Sequence, residues 1–395
     1  MTPPSASAES TARFRARTSA VEPYRVLFPI GIAFALIGAG VWPVTALGWL
    51  PYPGALHRLL MMQGFEHAFV MGFLLTAMPA FTHGPRCHPL ELAVGAILAL
   101  GFGVAALLGA RGIAEACFLA AIVLLLSAGL RRILGQSRRP PEEFAFVGFG
   151  LVLGGAGGAL LMAEALGAHA VWPPRFAERL VSLGMVLSLV IGVGSLLVPT
   201  FAGLDRPLEI PGLAAAHERR GRRALYAIVM ASFLAAFALD AAGRATTGMA
   251  VRALAATVMV LWVWKLYRPP RRDVPGFVLW GSGWMTLLGL WLAAAFPEHS
   301  IAALHVTFIG GFALLTLGIA TRVVVAHGKH PLETERRVLN ALVVVLVALA
   351  LVERLRAELF PARAVDALAD SGLAWLAAWF LWSARALPRL VRTSQ

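Results

Sequence analysis

The chain has 395 residues, 59% of them hydrophobic and 14% charged, at a mean hydropathy of +0.76. Soluble domains run nearer ~45–50% apolar and ~25% charged, so this composition excludes a soluble enzyme, a disordered scaffold and a secreted disulfide module. The formal net charge of +13 lies in short runs between apolar blocks, a pattern that orients a membrane protein and gives no sign of a nucleic-acid partner.

In chain order, residues 1–25 are small, polar and Arg-bearing and read as a cytoplasmic tail. From 26 to 388, twelve apolar blocks alternate with polar breaks: about 26–48, 56–80, 90–110, 112–130, 144–166, 178–202, 224–242, 248–267, 277–296, 301–326, 337–353 and 366–388. At about 1.5 Å per residue, a helix of such length crosses a hydrocarbon core of ~30 Å. The blocks are continuously apolar, without the two-residue alternation of a barrel strand. The expected fold is therefore an all-α polytopic bundle of about twelve transmembrane helices, with residues 389–395 as a second cytoplasmic tail.

The second block carries His57 at its outer end, with Glu66 and His67 about 15 Å further along the axis, near mid-membrane. An acidic group at a helix centre costs at least ~2.5–3.5 kcal/mol in lipid, so both residues should face the bundle interior and have partners. Adjacent residues point about 100° apart, so each partner must come from another span or a water. The same spacing puts His57, Met61, Gly64, Ala68 and Met71 on one stripe, either a ligand face or simple packing.

The tenth block carries His305 one turn inside its outer end and His327 at its inner end. These two imidazoles are about 33 Å apart and cannot share a metal. Blocks two and ten run in the same direction, which brings His57 and His305 to one level. There they could ligate one ion or one haem between helices, or each cap a helix end at the water interface.

Placing the N-terminus inside puts 24 of the 34 Lys and Arg residues in cytoplasmic segments and 8 outside. That bias predicts that both termini lie in the cytoplasm. The chain has neither a phosphate-binding Gly-rich loop with its Lys nor a His-Glu-x-x-His helix, which argues against ATP hydrolysis and intramembrane metalloproteolysis.

The stretch Ala303-Leu304-His305, Gly310, Thr316-Leu317, Thr321-Arg322-Val323 and His327-Gly328 before Pro331-Leu332 resembles the closing signature of the NnrS family. Gly64-Phe65 and Gly72 to Ala77, ending in Pro79 and Thr82, match in the second block, and Ile191-Gly192 through Pro199-Thr200-Phe201 echo in the sixth. The resemblance implies haem and copper as cofactors, nitric oxide or a related small molecule as ligand, and a role in nitrosative-stress defence or denitrification.

Carried onto this sequence, it makes His57 and His305 the expected outer ligands and His67 a substitute. His327 becomes an inner-side metal or cofactor residue, and Arg322 a partner for haem propionate. Two departures stand out. Leu59-Leu60-Met61 replaces most of the family's His-x-His-Glu-Met run, and Val193-Gly194-Ser195 replaces a Gly-Gly-Arg. The rival expectation is a cofactor-free, proton-coupled secondary transporter using Glu66 and His67.

Overall fold

The structure is a computed structural model, which describes residues 21–135, 140–168, 171–204 and 216–391, with side chains from residue 220 in the last segment. Most of the N-terminal tail (1–20), the loop around 205–215 and the end of the C-terminal tail (392–395) lie outside the described residues, as do His169 and the side chain of His217.

The described chain is helical from end to end. The long helices are α1 (Tyr24–Ala46), α2 (Gly54–Thr82), α3 (Pro89–Leu107), α4 (Arg111–Leu134), α5 (Phe144–Ala165), α6 (Phe176–Phe201), α7 (Ala216–Ala241), α8 (Ala245–Val263), α9 (Val274–Ala295), α10 (Pro297–His327), α11 (Ala341–Leu359) and α12 (Pro361–Val391). Eleven of them contain a stretch long and apolar enough to cross a membrane.

The exception is α11, expected over 337–353. Asn340 caps its first turn by accepting from the Val343 N–H, so it starts at Ala341, and residues Thr334–Val338 form a separate short helix. Its far end then includes Glu353, Arg354, Arg356 and Glu358. The helix still packs along α12, and part of its charge is neutralised locally: Arg356 pairs with Glu353 at 2.7 Å and with Asp370 of α12 at 2.6 Å.

Helices α2, α6 and α10 differ from the rest. Their apolar stretches are 83, 83 and 72% buried, against 33–56% in the other eight. Each begins with a short α-helical piece, passes into a π-helical segment (Leu60–Glu66, Leu180–Val186, Val306–Ala313) and resumes as α-helix to its end. π-helical turns widen the backbone spiral and leave some carbonyls without their usual partners, and they concentrate at functional sites.

Each π segment holds a glycine against which a neighbour packs closely: Gly64 against Phe34 and Phe102, Gly184 against Leu153, Gly310 against Met285. The remaining helices pack around these three, α1 against α12, α3 against α4, α4 against α5 and α7 against α8. The recurrence of one pattern at residues 60, 180 and 306 is a repeat far longer than the 20–50-residue periods sought in the sequence.

Candidate functional site

His57 lies on the short α-helical entry of α2 and His305 on that of α10, each just before its π segment. Their rings are 6.5 Å apart between centroids and within 11° of parallel. His57 Nδ1 lies 2.7 Å from the Gly38 carbonyl of α1, and His305 Nδ1 lies 2.7 Å from the Ile301 carbonyl one turn earlier.

A carbonyl only accepts, so each Nδ1 carries the hydrogen and donates it, which leaves Nε2 with a free lone pair. Among the described residues neither Nε2 has a hydrogen-bond partner. Trp42 flanks His57 at 5.5 Å and Phe308 flanks His305 at 5.9 Å between ring centres. The charge of Arg354 on α11 acts on both imidazoles, and that of Arg58 on His57.

The stripe expected from 100° steps faces α1 and α3. Met61 sits against Gly38, beside His57 and facing α1, while Gly64 meets both Phe34 of α1 and Phe102 of α3, and Met71 faces Gly95 of α3. One thioether thus accompanies His57, and the other lies on a different neighbour.

Glu66 and His67 also diverge, as adjacent helical residues must. Thr316 of α10 donates its hydroxyl to Glu66 Oε2 at 3.1 Å. His67 turns toward α4, its ring 5.0 Å from that of Phe118, with neither nitrogen hydrogen-bonded. One turn earlier, Gln63 donates to Glu115 of α4 at 2.7 Å.

Arg322 and His327 belong to the opposite end of α10. Arg322 pairs with Glu335 at 2.6 Å and lies 4.5 Å over the Phe201 ring, while Arg271 approaches Glu335 from the other side at 3.6 Å. Burial pushes the Glu335 carboxyl above its ordinary range, against the pull of both guanidiniums. His327 bonds through Nδ1 to Glu22 at 3.1 Å, and its ring is 5.8 Å from that of Tyr24. The hydrogen bond from His327 is the main cause holding the Glu22 carboxyl below its ordinary value.

Of the residues singled out in the sequence, the fold therefore joins His57 with His305 and leaves His67, Arg322 and His327 in separate surroundings. No group of three or more His, Cys, Asp and Glu side chains suited to a metal occurs among the described residues. Sequence reasoning missed Arg354, which lies one residue past the expected eleventh block and counted there only as an outer-segment charge, and the Gly38 carbonyl, which no side-chain pattern reveals. Gln63 and Glu115 were visible as polar residues within apolar blocks, but nothing in the sequence paired them.

A comparison with curated proteins gives no match. A family model described as "NnrS protein" matches residues 20–394, nearly the whole chain.

Proposed function

Because the chain belongs to the NnrS family, we propose that it is an inner-membrane haem protein that acts in the nitric oxide response, with His57 and His305 as the ligands of the haem iron. The observation that carries this reading is the pair of near-parallel imidazoles on α2 and α10, each with Nδ1 committed to a backbone carbonyl. Such a bond on the distal nitrogen fixes the tautomer and ring orientation of a ligating histidine and raises its basicity.

The spacing also fits. The two rings, 6.5 Å apart between centres, would hold the iron between α2 and α10. Bound haem would supply an iron centre for electron transfer and for a small ligand such as nitric oxide.

The protein's own contribution is orientation, charge and exclusion of water. Gly38 and Ile301 hold the two rings, and Trp42 and Phe308 cover them with apolar surface. Arg354 is the cation suited to a haem propionate, because a guanidinium offers two parallel donors to a carboxylate. Arg322, the residue assigned that task in the sequence, is held by Glu335.

Copper fits less well. His67 has no second nitrogen, carboxylate or thiolate group completing a set of three, and His327 is engaged by Glu22. A thioether beside His57, from Met61, is the softest donor at the histidine pair, and no step of the function is derived through copper.

The excess of Lys and Arg in the segments at the other end of the bundle supports cytoplasmic termini and puts the histidine pair toward the periplasmic side. Reporter fusions in the loops around 167–177 and 203–223 test this orientation. The first should report outside and the second cytoplasm, and the reverse result at both would overturn it. The absorption spectrum of the purified protein tests the haem reading itself: a Soret band that disappears in His305→Ala is expected, and a colourless wild type would contradict it.

A further inference from the structure

His67 is 3% exposed, yet neither of its ring nitrogens has a partner. A neutral imidazole always presents one donor and one acceptor, and leaving either buried and unsatisfied costs about 1–3 kcal/mol. The ring lines a small enclosed cavity, together with Gln63, Phe34, Phe102, Phe118 and Cys117. Its free space suits a single water-sized molecule. Apart from the imidazole and Gln63, whose amide donates to Glu115, the lining is apolar, and a water needs two to four polar partners to be held well.

A second space adjoins this one. Between α3, α4 and α5 runs an apolar groove open to the outside of the bundle, lined by Leu98, Ile113, Ala116, Cys117, Met162 and Leu166. Leu98 and Cys117 line both the groove and the cavity. Both are half-buried, and both lie within segments long and apolar enough to cross the membrane. Two side chains are thus the wall between the lipid-facing surface and an unpartnered buried imidazole.

We infer that this wall is a lateral entrance through which a small neutral diatomic molecule dissolved in the bilayer reaches a binding cavity at His67. Apolar gases concentrate in hydrocarbon, the groove meets that phase directly, and the imidazole is the one polar group in the cavity without a protein partner. The rotation of one Leu and one Cys side chain opens the path, with no movement of a helix. That the natural molecule is nitric oxide rests on the function proposed above, whereas the route and the cavity do not.

Dissolved oxygen serves as the probe, being diatomic, apolar and paramagnetic. A para-fluorophenylalanine label in place of Phe118, which lines the cavity, is compared by fluorine NMR with the same label in place of Phe146, which is equally buried on α5 but lines neither space. The full-length protein is measured in lipid nanodiscs, with and without oxygen, so that any relaxation due to bound iron subtracts out.

The expected result is an oxygen-induced relaxation enhancement at position 118 at least threefold that at 146. Leu98→Trp and Cys117→Phe, each filling the wall, should bring it to within about 1.5-fold. Equal enhancement at the two labels would overturn the cavity, and a strong signal at 118 that neither substitution reduces would overturn the lateral entrance. Absence of haem would leave these outcomes unchanged while overturning the function proposed above.

Discussion

The histidines of the central helices and the charges of the helices around them are bonded in different ways. On the surrounding helices, charges are matched in pairs: Asp240 of α7 with the fully buried Arg252 of α8 at 3.0 Å, Glu91 of α3 with Arg131 and Arg132 of α4 at 2.8 and 3.1 Å, Glu142 with Arg223 at 2.6 Å. In the outer and middle parts of α2 and α10, Arg58 pairs with Glu178 of α6 at 2.5 Å and His299 with Glu358 of α11 at 3.0 Å, but four further groups meet neutral partners or none. His57 and His305 donate to backbone carbonyls, Glu66 accepts from Thr316, and His67 has no partner.

A charge pair consumes the bonding capacity of both members, whereas an imidazole tied through one nitrogen keeps the other free. The ion pairs of the surrounding helices are structural, whereas the histidines of α2 and α10 keep a ring nitrogen unbonded. The proposed haem site rests on that difference.

The sharpest way to break the contrast is to exchange its consequences. His57→Ala or His305→Ala should reduce bound haem more than tenfold, read as Soret absorbance per protein, with the melting behaviour of the cofactor-free protein little changed. His327→Ala, at the other end of α10, should leave the spectrum as it is. If His327→Ala and His305→Ala lose haem equally, the assignment to one end of the bundle fails.

Asp240→Ala should do the reverse. It strands Arg252, which is 0% exposed, and breaking a buried pair by removing one partner costs about 3–5 kcal/mol. Thermal unfolding in detergent should register that loss while haem content per folded protein stays constant. A spectral change without a stability change would show that the periphery reaches into the site.

The two arginines sharpen the comparison further. Arg354 acts on both imidazoles, whereas Arg322 is neutralised by Glu335. Removing a nearby positive charge stabilises the oxidised centre, so Arg354→Gln should lower its midpoint potential by on the order of tens of millivolts. Arg322→Gln should shift it far less. Redox titration followed optically distinguishes them, and an equal shift from both would return Arg322 to the cofactor.

The smallest effect belongs to the contact of Glu22 with His327, at the far end of α10 from the histidine pair. The folded carboxyl titrates below its ordinary value of 4.5, so the contact stabilises the protein fully above that value and is lost as pH falls through the lowered one. Glu22→Gln should therefore lower the melting temperature slightly at neutral pH and converge with wild type in acid, which flattens the acid-side fall. A decline identical to that of wild type would remove this contact from the acid response.

Much of the bundle was readable from block length alone, because a membrane imposes a minimum number of apolar residues per helix. What hydropathy could not separate was centre from periphery, since a helix facing lipid and one facing other helices are equally apolar. Thus α6, 83% buried, and α3, 33% buried, have mean hydropathies of 2.4 and 2.2. The shared level of His57 and His305 followed from counting helix directions.

The π segment at Leu60–Glu66 was not legible, because no residue pattern in the sequence marks it. Arg322 was read as a free cation because its partner, Glu335, sits on the short helix after α10, where the sequence suggested only a loop. The block at 337–353 began too early for the same reason: the cap at Asn340 separates two helices that apolar patterning merges.

The central claim is that two imidazoles, parallel within 11°, bind one iron between α2 and α10. The most direct measurement is the electron paramagnetic resonance spectrum of the oxidised, purified protein, taken with its optical spectrum. The account predicts a Soret band and a low-spin ferric signal of the rhombic form that near-parallel imidazole planes produce, both absent from His305→Ala. A high-spin signal, or one unchanged in His305→Ala, would contradict it.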